Sequence, residues 1–548
     1  MNTDNSVSNS NKYLKKLDSI AGIETKGLTA VVDRAAFVFL VLMTLMAPHS
    51  IAATQIAGGL GLLFWLAGYF FKPFRGIKTT TLALPILAFF VWTILSSVLS
   101  YAPDISIPKI PGNTLFLIFF LAINLLRTRT SVRFLAGALV FSCMINVLWT
   151  PLERAMGRGI LLGNISTDGP LFRAGLREGD GLFQVNGKRL SGPADIIGEI
   201  EKTGKADIQN YRNGHYWVYT VKGNTLLDGK TDFERLGIRS WSKSRSWRSS
   251  GFYGHYATYA EVLQLIGSLT FGFLIACIGT LIPSRRKEKG NASPEDDEAP
   301  RVIPHPEARR SNMFRISVVL AICLFMISAA LLLTITRAAQ AGFIVSWFAI
   351  ILVGGGRKMM IGLLVLSIPV VAGAIIFLQV TRGVGYVDAT DSSTTWRLTV
   401  YREGLDLWAK SARNATFGVG MDSIKRYAVE WRLFDDGKIQ IGHYHSTPMQ
   451  LLVERGLPAL LLWLWMFAAY LWALFRALRT EKFTNWVDRG IVLGAFGGVV
   501  GFLFSSLVHY NFGDAEVAMV LYLIMALGMS LMNSNSGRNV PAVTAHPE

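Results

Sequence analysis

The sequence predicts an all-α polytopic membrane protein of about twelve transmembrane helices, with one small α+β domain inserted between two of them. Three observations carry this. The 548 residues are 51% hydrophobic and only 17% charged, where soluble chains carry nearer a quarter. The apolar residues gather in nearly uncharged blocks of roughly 18–22, the length that crosses a hydrocarbon core about 30 Å thick. The Lys and Arg behind the net charge of +17 lie mostly in short segments between those blocks, which is topology signalling rather than a nucleic-acid surface.

Residues 1–33 are polar and basic and lack a short apolar region followed by a cleavage site, so the first block is read as an uncleaved span. Spans are expected at 35–49, 51–71, 80–99, 108–126, 132–150, 257–282, 313–333, 338–354, 359–379, 447–476, 488–508 and 514–533. The connecting segments alternate in character. One set is basic, for example Lys72, Arg75 and Lys78, then Arg127, Arg129 and Arg133, then Arg476, Arg479, Lys482 and Arg489. The other, such as Tyr101–Ile107 and His509–Gly513, has no Lys or Arg. The positive-inside rule puts the basic set and both termini in the cytoplasm. Five spans then fill 34–150, four fill 236–379 and three fill 447–533, with a cytoplasmic tail at 534–548. Residues 284–312, rich in Pro, Glu, Asp, Arg and Lys, read as a disordered cytoplasmic linker. Two long segments, about 151–256 and 380–446, face the other side.

The three cysteines, Cys143, Cys277 and Cys323, all lie inside apolar blocks, so neither a disulfide nor a thiolate metal site is expected. No Asp-x-Asp or closely spaced His/Cys set has metal-ligand geometry. The Gly354-Gly-Gly run follows no strand and is not a phosphate loop.

The inserted domain, placed at 151–235, carries Gly169-Pro-Leu-Phe-Arg-Ala-Gly-Leu-Arg-Glu-Gly-Asp-Gly-Leu-Phe-Gln-Val-Asn-Gly-Lys-Arg-Leu190. A helical turn ends at Gly175, Gly179-Asp180 opens a strand, and Asn186-Gly187 is a tight-turn signal. A helix at 193–203 and strands at 206–212 and 215–221 complete the unit. This closely resembles the PDZ domains of bacterial periplasmic proteases, with Gly181 standing where that family has an aliphatic residue. The resemblance implies a peptide groove in which Gly159, Ile160, Leu161 and Leu162 offer their backbone to an added strand of a periplasmic protein partner. The alternative is a folded spacer that binds nothing.

Four further segments bear chemistry: Arg248-Ser-Ser-Gly-Phe-Tyr-Gly-His255-Tyr-Ala-Thr-Tyr-Ala260; Thr334-Ile-Thr-Arg337-Ala-Ala-Gln-Ala-Gly342; Arg397-Leu-Thr-Val-Tyr-Arg402 with Phe417-Gly-Val-Gly420; and His443-Tyr-His445-Ser-Thr-Pro-Met-Gln450-Leu-Leu-Val-Glu454-Arg-Gly456. Together they resemble the O-antigen ligase and polymerase family, with Ser446 in place of that family's Asn. The resemblance implies a GT-C-like helical glycosyltransferase of the bacterial inner membrane. It would move a glycan from an undecaprenyl-pyrophosphate carrier to an acceptor hydroxyl on lipid A–core, on a second lipid-linked glycan or on a protein, without metal or cofactor. The residue types suit such chemistry. Arg248, Arg337, Arg397 and Arg402 can hold a pyrophosphate through bidentate bonds without losing their protons. His445 is the candidate base, with His443 and His255 as secondary candidates. Arg239, Lys243, Arg245 and Arg248 could also meet anionic membrane lipids. Because the motifs begin at Arg248, the insert is expected to lie outside the chemistry. A rival reading is an inactive scaffold or transporter that recruits a partner through the insert.

Overall fold

The computed structural model describes residues 3–533 apart from 72–75, 213–214, 282–305, most of 357–391, 481–482 and 484. Among the described residues ten helices are long and apolar enough to cross a membrane: Gly27–Met46, Ile51–Phe71, Pro103–Leu125, Arg129–Met156, Tyr256–Leu281, Arg310–Leu333, Arg337–Gly354, Thr447–Thr480, Trp486–Ser506 and Ala515–Met532. Ala83–Val98, where the third span is expected, is a shorter apolar helix of 16 residues. The ninth expected span and the linker up to residue 305 lie largely outside the described residues. From Pro306 the chain is already helical, so the linker is shorter than the reading of 284–312.

The fourth expected span departs from a regular helix. It opens with a turn, Pro103–Ser106, and a 3₁₀ segment, Ile107–Phe116, before the α-helix Leu117–Leu125 begins. Pro108 and Pro111 explain this, since each removes a backbone donor and obstructs the α-helical ladder.

Three helices, Tyr256–Leu281, Trp486–Ser506 and Ala515–Met532, are buried along most of their length and form the hub. Glycines let helices close up on this hub: Gly272 lies against the backbone of Gly490 and Gly494, and Gly342 of the helix Arg337–Gly354 lies against Gly501. At the end opposite the insert, the basic residues of the topology pattern also tie helices together. Buried Asp488 takes Arg133 at 2.6 Å and Arg129 at 2.9 Å, and Asp33 takes Arg127 at 2.9 Å.

The insert is a sheet of strands β1 (Arg158–Ile165), β2 (Gly181–Val185), β3 (Lys188–Arg189), β4 (Lys205–Arg212), β5 (His215–Lys222) and β6 (Ile238–Ser244), ordered β5-β4-β2-β1-β6 with β3 paired to β2. The helix Pro193–Thr203 packs Ile196, Ile197 and Ile200 into its apolar core. The Asn186-Gly187 turn has positive φ at both positions, as a two-residue hairpin requires. Two expectations change. The unit runs on to Ser244 rather than ending at 235. And β1 is an interior strand: Ile160 pairs with Leu182 of β2, while Leu161 and Leu162 face Ser242 and Trp241 of β6. The backbone edge of Gly159–Leu162 assigned to a partner strand is therefore filled by the chain's own β6, with Ile160 and Leu162 in the core.

Candidate functional site

At the end of the helix bundle that carries the insert, a cavity of about 800 Å³ is lined by Arg248, Arg337, Arg397, His255, His443 and His445. These residues come from four separate stretches of sequence, and six of the seven candidates for catalysis or pyrophosphate binding meet there. Among the described residues no Asp or Glu lines it. A cavity with three guanidinium groups and no lining carboxylate is a ready receptor for a concentrated anion.

Each arginine has its own local cause. Arg337 is the first residue of the helix Arg337–Gly354, so its charge adds to the positive end of the helix dipole. The turn before it, Thr334–Thr336, is buried and puts Ile335 in left-handed backbone at φ 53°. That turn is held from the Arg248 side: Ser249 N donates to Leu333 O at 2.9 Å, and Arg248 Nη2 donates to Ile335 O at 2.6 Å. Arg248 also lies over the Tyr256 ring, 4.1 Å from its centroid. Arg397 is on the helix Ser392–Ala409 and reaches the same cavity. Arg402 does not. It lies five positions further along that helix, about 140° around the axis, and is exposed.

The loop before the helix Thr447–Thr480 positions two imidazoles. The His443 and His445 rings lie 4.1 Å apart, and His445 N donates to His443 Nδ1 at 3.2 Å. His445 has φ 49°, a strained backbone for a non-glycine residue, and Trp396 meets its ring edge-on at 4.8 Å. Tyr401 Oη donates to His445 O at 3.2 Å, and Gln450 Oε1 accepts from Tyr444 N at 2.9 Å. Ser446 caps the helix by accepting from Met449 N at 3.4 Å. Burial pulls His445 down to about 3, helped by the neighbouring His443 and Arg397, and pulls His443 down to about 4. His255 is lowered by burial and by His509. All three imidazoles are thus neutral near pH 7 and able to accept a hydrogen bond or a proton.

The Phe417-Gly-Val-Gly420 segment is structural. Val419 N and Gly420 N donate to Val453 O and Glu454 O at 2.9 and 2.8 Å, and a Cβ at Gly418 or Gly456 would collide with the facing backbone. This contact sets the break at Gly456 and hence the direction of the helix that carries His443 and His445 at its start.

Sequence reasoning missed His509, Tyr401, Trp396 and His215, which also line the cavity. His509 and Tyr401 lay in view, in the lysine-free loop His509–Gly513 and within the Arg397 motif. His215 belongs to β5 of the insert, which brings that domain into the site rather than beside it. A family model described as O-antigen ligase matches residues 321–464. The match takes in Arg337, Arg397, His443 and His445 and leaves out Arg248, His255 and His509.

Proposed function

From a multi-pass membrane protein whose residues 321–464 match a family model described as O-antigen ligase, we propose a glycosyltransferase that moves a glycan from an undecaprenyl-pyrophosphate carrier to an acceptor hydroxyl at the periplasmic face. The observation that carries this reading is the convergence of Arg248, Arg337 and Arg397, from three separate stretches, on one cavity lined by neutral imidazoles. The acceptor oxygen attacks the anomeric carbon, and the bond from that carbon to the pyrophosphate oxygen breaks. The charge that grows on the leaving group is met by guanidinium groups already in place, which is how a preorganised site lowers a barrier. A cavity imidazole takes the hydroxyl proton.

Glycan profiling of a deletion strain tests the reading and sorts the acceptors. Loss of glycan linkage to lipid A–core is expected for a ligase, and shortened chains for a polymerase. An unchanged profile of all lipid-linked and surface glycans overturns it.

A further inference from the structure

Arg154 stands in the last turn of the helix Arg129–Met156, outside the motifs that bear chemistry, and it does not line the cavity. Its guanidinium reaches into other segments. Nη2 donates to Trp247 O, Nε donates to Ser249 Oγ at 3.1 Å, and Nη1 donates to Arg245 O at 3.4 Å. Nη2 also donates to Leu333 O at 3.4 Å, a carbonyl that Ser249 N holds at 2.9 Å. The group lies 5.5 Å from the centroid of the buried Trp247 ring. Among the described residues no carboxylate pairs with Arg154, and the adjacent Glu153 turns to Arg158 at 3.8 Å.

An arginine at a helix C-terminus commonly answers the last carbonyls of its own helix. Arg154 instead joins the two segments that carry cavity arginines. Trp247 and Ser249 flank Arg248. Leu333 ends the helix Pro306–Leu333 and leads through the buried turn Thr334–Thr336 into Arg337. Arg248 Nη2 closes the same junction on Ile335 O at 2.6 Å. The Arg248 segment and the Arg337 turn are thus tied through Arg154, Ser249 and Arg248 in succession, and Arg154 anchors the set in a long helix. A planar fork of five donors suits a junction of this kind, and a single ammonium does not.

Resting on the function proposed above, we infer that Arg154 is a positioning residue that fixes the spacing of Arg248 and Arg337, two of the guanidinium groups that receive the donor pyrophosphate. Charge on a leaving group is stabilised best by donors already in place. Arg154 touches neither substrate nor reacting atoms. It acts through the arginines on either side of its junction.

The test uses the full-length protein in liposomes, with an undecaprenyl-pyrophosphate-linked oligosaccharide as donor and lipid A–core or a second donor molecule as acceptor. Binding of inorganic pyrophosphate is measured separately by calorimetry. A displacement of about 1 Å can cost a reaction about a hundredfold, so Arg154→Ala is expected to transfer about ten- to a hundredfold more slowly. It is also expected to bind pyrophosphate about tenfold more weakly. Arg154→Lys keeps the charge without the fork and recovers only part of either, and it carries the test if the alanine variant does not fold. A double-mutant cycle with Arg248→Ala separates positioning from general support of the fold. If Arg154 acts through Arg248, its removal in the Arg248→Ala background costs at most about threefold. Full activity in Arg154→Lys, or an undiminished loss in the Arg248→Ala background, overturns the assignment while the wider reading stands. A wild-type protein that transfers to no acceptor overturns that reading. Pyrophosphate binding then decides the clamp alone, and equal affinity in wild type and Arg154→Ala overturns it.

Discussion

Tyr216 of the insert stacks on Tyr256 at the head of the hub helix, with ring centroids 6.1 Å apart and planes within 19°. The Tyr256 ring is the one over which Arg248 lies. Around this pair, Phe183, Tyr211 and Trp247 form a small aromatic cluster, and Arg154 donates to the carbonyl of Trp247. The insert is therefore fastened to the segment that aims Arg248. The sequence places it outside the chemistry, and the structure makes it a support of the site. Replacing 158–244 with a Gly/Ser linker is expected to cripple transfer by the purified, reconstituted protein. Tyr216→Ala is expected to slow it by up to about tenfold, the equivalent of one aromatic pair. Trp217→Ala, whose side chain is exposed on the same strand, serves as the control. Full activity after the linker replacement would return the insert to the role of a separate recruiting module.

The arginines separate by position. Arg248→Ala and Arg397→Ala each remove a charged hydrogen-bond donor from the cavity, and transfer is expected to fall about ten- to a hundredfold. Lysine at either site restores only part, because the two-pronged geometry is lost. Arg402→Ala is expected to remain near the wild-type rate. Equal loss in all three variants, measured as initial rates at matched protein levels, would contradict a cavity-based role.

What the sequence made legible were features written in local pattern. Uncharged blocks announced the spans, Asn186-Gly187 announced a hairpin, and the helix at 193–203 was readable to its ends. Pattern failed where tertiary contact decides. β6 reads Ile-Arg-Ser-Trp-Ser-Lys-Ser, with little apolar alternation, and becomes a strand by pairing with β1. Arg402 shared a motif with Arg397, and only the turn of the helix parted them. Glu261 was one carboxylate in an apolar block, and His509, whose Nδ1 lies 3.3 Å from it, stands in a loop far along the chain. No spacing rule connects such a pair before the helices are packed.

Orientation follows from the charge pattern and is open to direct measurement. Alkaline phosphatase fused after residue 230 or 430 is expected to be active, and after 300 or 482 inactive. The cavity and the insert lie at the same end of the bundle, so both fusions in the first pair report on the side where the site opens. The reverse pattern would put the cavity in the cytoplasm, where the proposed carrier chemistry does not fit.

Acid should weaken the fold through the histidine pair. Burial penalises the charged forms of His443 and His445 and pulls them from the usual imidazole range down to about 4 and about 3. Well above the usual imidazole range both are neutral, folded or unfolded, and contribute no pH dependence. As the pH falls through that range, the unfolded chain takes up protons that the folded chain refuses, and the balance shifts toward unfolding. The melting midpoint of the detergent-solubilised protein is therefore expected to drop between about pH 7 and pH 5. A His443→Asn/His445→Asn double variant should flatten that drop, since asparagine tolerates the left-handed backbone at 445 and does not titrate. Inorganic pyrophosphate reverses the sign locally, because its charge favours the imidazolium forms. It should raise the midpoint more at about pH 5.5 than at about pH 7.5, by the linkage of anion binding to proton uptake. A midpoint unchanged by acid in the wild type, or an equal slope in the double variant, would show that these imidazoles are not the buried neutral groups described above.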